Sequence, residues 1–171
     1  SQARRIELNE ALRISLQEWI KVLQSSSTRS LRPPPSRKVE GIVYTDGFYP
    51  ESASDGSARI GAVAFITDRG SLITMTSHIS DRLQQTWLPR KNQIAMVETV
   101  AAPITVESFR GLLAGKRIIW MVDSESTLGA LIKGHSDRED VCMAVTVFWD
   151  LVREYRIEVY MDRIPTDGNL S

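Results

Sequence analysis

The sequence predicts an α/β protein in which a mixed five-stranded sheet, three antiparallel strands followed by parallel ones, is flanked by helices. Three observations carry that expectation. Residues 39–79 hold three β-rich stretches parted by turn signals, residues 118–122 form a short and nearly continuous apolar run, and residues 91–113, 124–132 and 138–155 show helical composition and spacing. Alternation marks half-buried strands, an unbroken apolar run marks a strand buried on both faces, and a 3.6-residue period marks a helix.

Taken in order, Ile6, Leu8, Leu12, Leu16, Trp19, Ile20 and Leu23 fall close to helical spacing among Arg and Glu residues. Residues 4–23 therefore read as an N-terminal amphipathic helix whose apolar face needs a partner. The following stretch to Ser36 is rich in Ser and Pro, cannot continue a helix and reads as an extended linker. Residues 37–171 are the domain proper. Val39 to Thr45 and Arg59 to Thr67 are its first two strands, Asp68-Arg69-Gly70 is a turn, and Leu72 to Ile79 completes an antiparallel meander. Lys91 to Ala102 is helical, with Ile94, Val97 and Ala101 on one face; Pro103 is expected to interrupt it before residues 104–113 resume. Ile118 to Val122 is a central parallel strand. Ser124 to Ile132 makes a short helix ending at Gly134, and residues 138–155 make a longer one with Val141, Val145, Phe148, Trp149 and Val152 inward. Ile157 to Met161 closes the sheet.

Composition narrows the chemistry. At 171 residues, 42% apolar and 25% charged, the chain suits one domain with an appendage. No apolar run approaches the roughly 18 residues of a membrane span, so a soluble protein with no membrane partner is expected, and its location is expected to be intracellular. The single cysteine, Cys142, excludes a disulfide framework and reads as a buried reduced thiol. With only His78 and His135 besides, a zinc site of nitrogen and sulfur ligands is out of reach, and any metal must sit on oxygen. Net charge is zero but uneven: residues 1–38 carry eight Lys/Arg against three Asp/Glu, the remainder thirteen against eighteen. The chain opens at Ser1 into a charged amphipathic segment, which suggests a piece of a longer protein.

Three carboxylates stand out. Asp46 follows Val43-Tyr44-Thr45 at the end of the first strand, and Asp123 follows Ile118 to Val122 at the end of the fourth. If those strands are neighbours, as a crossover connection favours, the two acids meet at their carboxyl ends. Adjacent anions repel and need a cation, and all-oxygen ligation favours Mg²⁺ or Mn²⁺. Glu98 lies mid-helix among Ala, Met and Val, where a solvated face would carry more charge, so it points at something specific. Three such acids can hold two ions for the in-line hydrolysis of a phosphodiester.

In order and spacing, Tyr44-Thr45-Asp46-Gly47, Ile60 to Phe65, Asn92-Gln93-Ile94 with Glu98 and Ala101-Ala102, and Val122-Asp123-Ser124 resemble the ribonuclease H fold family over residues 39–171. Arg163 to Ser171 is similar to its last motif as it stands in retroelement reverse transcriptases. The resemblance implies a two-metal endonuclease that cuts the RNA strand of RNA/DNA hybrids, with Asp46, Glu98 and Asp123 as catalytic metal ligands. It implies substrate contacts from Gly47, Asn92, Gln93, Ser124 and Asn169, with Asn92 and Gln93 in the minor groove where 2′-hydroxyls mark RNA. It also implies that residues 1–36 end a connection from an upstream reverse transcriptase. The family's fourth acid would come just after Ser171, Asp167 being a weak substitute, so this truncated form is expected to have reduced or no activity. Arg163 and Asp162 stand where many cellular members carry a histidine, and the acidic 134–140 stretch has no basic hybrid-gripping insertion.

Simpler readings stand beside these. Asp55, Asp68, Asp81, Asp137 and Asp140 are explained as solvated caps, and Trp19, Trp120 and Trp149 as core. Trp87, ahead of Arg90 and Lys91, reads either as a nucleic-acid contact or as a loop anchor. The rival to the nuclease is a non-catalytic scaffold of the same fold that grips nucleic acid within a larger assembly.

Overall fold

The computed structural model describes residues 10–25, 38–50 and 57–164. The chain divides into two compact units, residues 1–36 and 37–171. In the first, α1 (Glu10–Ser25) is the described part of the amphipathic helix; residues 4–9 of the predicted helix and the linker lie outside the described residues. Leu12, Leu16, Ile20 and Leu23 are exposed along α1, and Trp19 is 65% exposed, so it is not the core residue expected from its spacing.

The second unit runs β1 (Gly41–Phe48), β2 (Arg59–Ile66), β3 (Ser71–His78), α2 (Asp81–Gln84), α3 (Ile94–Ser108), α4 (Arg110–Leu113), β4 (Arg117–Val122), α5 (Glu125–Lys133), α6 (Glu139–Glu154) and β5 (Glu158–Arg163). The sheet order is β3-β2-β1-β4-β5. β1, β2 and β3 pair antiparallel, whereas β4 pairs parallel to both β1 and β5. This is the mixed sheet expected from the sequence, with helices packed against it.

Alternation decides which face is covered. Val43 and Thr45 of β1, Ile60, Ala62, Ala64 and Ile66 of β2, and Ile118, Trp120 and Val122 of β4 are buried, and α3 packs on β1 and β2 while α5 packs on β4 and β5. The fully buried Trp120 meets Phe148 of α6 edge-to-face at 5.4 Å. Such a pair adds about 0.5–1.5 kcal/mol beyond area burial. Trp120 Nε1 donates to Thr45 Oγ1 at 3.2 Å, which satisfies an indole N–H that burial would otherwise strand. Trp149 is half-buried and donates to Leu131 O at 2.9 Å. Cys142 is likewise half-buried, with its Sγ 3.5 Å from His135 Nδ1, rather than buried as expected.

Three local expectations change. Pro103 does not interrupt the helix, because α3 runs through it to Ser108. An interior proline costs about 3 kcal/mol through its lost N–H and its clash with the carbonyl four residues back. Here Met96, Val97, Val100, Ala101, Ala102 and Val106 are all buried around it, and that packing outweighs the local penalty. The four-residue α2 is an additional element, too short to show a period; Ser80 caps it by accepting from Leu83 N. β1 extends past Thr45 to Phe48, because its pairing with β2 continues to Phe48↔Arg59 after its pairing with β4 has stopped at Thr45↔Val122. α5 begins and ends as expected, with Ser124 as N-cap and Gly134 in the left-handed conformation that glycine adopts without strain.

Candidate metal centre

Register builds the site. β1 and β4 are parallel and their ladder closes at Thr45↔Val122, so the next residue of each strand, Asp46 and Asp123, emerges at the same edge. Asp46 lies inside β1 and Asp123 just beyond β4. Glu98 arrives from α3, which can come close because residue 47 is glycine. A Cβ there would lie 2.8 Å from Glu98 N and 2.9 Å from Val97 Cγ1. Ligand oxygens of Asp46, Glu98 and Asp123, one from each, lie within 4.8 Å of one another, and all three residues are half-buried. The structure therefore brings together the three acids singled out from the sequence.

Their surroundings disfavour three free negative charges. Burial raises the Asp46 carboxyl above its ordinary value and Asp123 adds to the rise, against a hydrogen bond from Gly47 N at 2.8 Å. Burial also raises Glu98, helped by the charges of Asp123 and Asp46 and opposed by hydroxyls of Ser124 and Thr127. Asp123 Oδ1 is buried with no hydrogen-bond partner. A buried carboxylate oxygen left unpaired beside two more acids is costly for a protein alone and is what a divalent cation would satisfy. The donor set, carboxylate oxygen throughout, fits a hard ion such as Mg²⁺ or Mn²⁺.

This predicts that Glu98→Gln stabilises the protein in chelator. The raised carboxyls confer stability that is full below their unfolded values, 3.8 for Asp46 and 4.5 for Glu98, and is lost as pH rises through the higher folded values. At neutral pH, removing one charge relieves this, and relief of unfavourable charge commonly gives about 0.5–2 kcal/mol. Melting in EDTA should rise by a few degrees, roughly as 1 kcal/mol implies at this size, while the gain on adding Mn²⁺ shrinks.

The other candidates separate. Asn92 is exposed, and its Oδ1 accepts from Ile94 N at 2.7 Å at the start of α3. Gln93 is 8% exposed and its amide is engaged at both ends, accepting from Arg90 Nη1 at 2.9 Å and donating to Leu88 O at 2.8 Å. Ser124 Oγ accepts from Thr127 N at 3.3 Å. Asn169 and Asp167 lie outside the described residues. Trp87 is 7% exposed within the core cluster, which makes it the loop anchor and not a nucleic-acid contact.

Asp140 is the clearest correction. Rather than a solvated cap, it is 6% exposed, accepts from Leu88 N at 2.9 Å and from Val141 N at 2.9 Å, and forms an ion pair with Arg90. Burial pushes its carboxyl up, but the Arg90 guanidinium and the two backbone N–H groups outweigh burial and leave it below its ordinary value. Asp140, Arg90, Gln93 and Leu88 thus tie the N-terminus of α6 to the loop that leads into α3. Asp140→Asn strands Arg90 and should cost about 3 kcal/mol at pH 7, as breaking buried pairs does. A depressed carboxyl confers stability above its unfolded value of 3.8 that is lost as pH falls through the folded value. Denaturant unfolding of the parent and variant should therefore differ fully at pH 7 and 5, and converge only below 3.8.

No protein-family model matches the chain, and no curated protein matches it in sequence. Solved structures do match. RNase H1 from the halophilic archaeon Halobacterium salinarum superposes with a TM-score of 0.57 at 16% identity, over 75% of this chain and 88% of that one. LC11-RNase H1, isolated from compost by a metagenomic approach, gives 0.59 at 17% identity over 77% and 89%. In its complex with an RNA/DNA hybrid it gives 0.57 at 16% identity over 76% and 88%. The mixed five-stranded sheet in the order β3-β2-β1-β4-β5, with its flanking helices, is the ribonuclease H fold.

Proposed function

We propose that this chain is a divalent-metal-dependent endonuclease that hydrolyses the RNA strand of RNA/DNA hybrids. The observation that carries the reading is the cluster of Asp46, Glu98 and Asp123 at one sheet edge, with Asp123 Oδ1 buried and unpaired. Asp46, Glu98 and Asp123 would hold the metal, as two Mg²⁺ or Mn²⁺ ions. When bound, such ions supply an activated water and neutralise charge on the leaving oxygen of an in-line displacement.

The chain's own residues do the rest. Gly47 lets α3 approach β1, so the three acids converge. Asn92, exposed and with its Oδ1 taken by the helix, offers its amino group as a donor toward the minor groove, where the 2′-hydroxyl distinguishes RNA. Gln93, whose amide is bonded at both ends, holds the loop that presents Asn92. In that role it supports the substrate contact from beneath. Ser124 caps α5 beside Asp123. Asn169 would join from the C-terminal segment.

The reading extends to context. We place the domain at the C-terminal end of a reverse transcriptase polyprotein, acting inside the cell, with residues 1–36 as the end of a connection to the polymerase. What supports this is the likeness of residues 163–171 to a retroelement motif and the separate N-terminal unit bearing an amphipathic helix. Among the described residues no helix is long and apolar enough to cross a membrane.

The test is incubation of a hybrid labelled on either strand with the chain in Mg²⁺, Mn²⁺ or EDTA, beside a form extended past Ser171. Cutting of the RNA strand alone, lost in EDTA and stronger in the extended form, is expected. Hybrid binding without cutting by either form would support the non-catalytic scaffold instead.

A further inference from the structure

α5 carries a polar residue on its buried side. Thr127, Ala130 and Leu131 are its buried residues, and Thr127 is 2% exposed. A hydroxyl at that depth needs a partner, and the cheapest one in a helix is the carbonyl four residues back. Thr99 and Thr146 take that option, donating to Ala95 O at 2.6 Å and Cys142 O at 3.0 Å. Thr127 does not. Its Oγ1 reaches across to α3 and donates to Glu98 Oε2 at 3.3 Å.

The same first turn adds a second hydroxyl. Ser124, the N-cap, stands near enough for its hydroxyl to draw the Glu98 carboxyl downward, while its oxygen accepts from Thr127 N at 3.3 Å and lies 3.2 Å from Ser126 Oγ. An ionised carboxylate accepts about four hydrogen bonds or metal contacts in all. With Thr127 taking part of that capacity, the rest stays available to the cluster, where a Glu98 oxygen lies within 4.8 Å of ligand oxygens of Asp46 and Asp123. Glu98 sits on a long, rotatable side chain, and Thr127 Oγ1 is a donor placed to restrain its carboxylate.

We propose that Thr127 is a positioning residue for the metal centre: its hydroxyl holds the Glu98 carboxylate in the orientation that closes the Asp46–Glu98–Asp123 cluster. This rests on the metal-binding reading above. Partners that orient a metal ligand typically account for about 10- to 100-fold in metal affinity. Thr127→Val keeps the shape and removes the donor, Thr127→Ala removes both, and Thr127→Ser keeps the donor.

The test is Mn²⁺ titration of the full chain, with free Mn²⁺ read by electron paramagnetic resonance, on the parent, these three variants and Asp46→Asn. Melting in EDTA serves as a control for folding. Thr127→Val and Thr127→Ala should bind about tenfold more weakly, and Thr127→Ser should bind like the parent, with each variant melting cooperatively in EDTA. Parent-like affinity in Thr127→Val and Thr127→Ala would overturn the proposal. So would a Thr127→Ser as weak as Thr127→Val, since the methyl group would then be what matters. A parent that takes up no Mn²⁺, or that Asp46→Asn leaves unchanged, would instead overturn the metal site itself.

Discussion

Asp46→Asn should reduce cleavage of the RNA strand of a hybrid by at least ~10³-fold, because even groups one step removed from a metal ligand account for about 10- to 100-fold. The substitution keeps the size and the place of the side chain in β1, and it keeps an oxygen able to accept from Gly47 N. What it removes is a charge. The cluster loses one of three anions, and the attraction that gathers divalent ions falls with it. Stability should move the other way, because burial and Asp123 raise the Asp46 carboxyl and its charge disfavours the metal-free fold. A variant inert in Mg²⁺ and Mn²⁺ yet melting at or above the parent in EDTA is therefore expected. An inert variant that also melts well below the parent would mean that Asp46 supports the strand and not the chemistry.

That opposition between stability and function explains why the site is legible in the sequence. An acid at the end of an apolar strand, or set among small and apolar neighbours within a helix, violates the local rule that buried carboxylates are avoided, and such violations gather where function needs them. Asp46, Asp123 and Glu98 each break that rule. The order of strands then makes convergence predictable, since one parallel crossover suffices to set β1 beside β4.

What local pattern hides depends on contacts distant in sequence. Asp140 looks like a turn residue, because its partner Arg90 is 50 residues away and nothing near either one marks the pair. Trp87 has two equal readings until the core forms around it. Propensity alone makes Pro103 a break, yet α3 is buried widely enough for packing to override its cost. Thr127 is one of several helical threonines, and only the α3–α5 packing reveals that its hydroxyl leaves its own helix. Local pattern carries helix and strand identity and the acids that break pattern; it does not carry which polar groups find one another across elements.

Gly47→Ala should affect both activity and stability although it touches no charge. The added Cβ would lie 2.8 Å from Glu98 N and 3.1 Å from Glu98 Cα, so the obstacle is helix backbone and not a side chain that can swing away. β1 is held by β2 at Gly47 itself and by β4 up to Thr45, two residues before. α3 must therefore give, and Glu98 moves with it. Overpacking of this kind costs about 1–3 kcal/mol. A shift approaching 1 Å in a reacting group costs on the order of 10²-fold in rate. Gly129→Ala is the matched control: it lies within α5, where a Cβ would meet nothing within 4 Å. That change should raise stability by up to about 1 kcal/mol, as glycine is a poor helix former, and leave cleavage near the parent rate. Hybrid cleavage, Mn²⁺ affinity and denaturant unfolding on the two variants separate the effects. If Gly47→Ala lost stability but kept parent affinity for Mn²⁺, Glu98 would not depend on the approach of α3 to β1. Loss of both, with Gly129→Ala intact, would make the glycine after Asp46 as much a part of the metal centre as the acids, through the space it leaves empty.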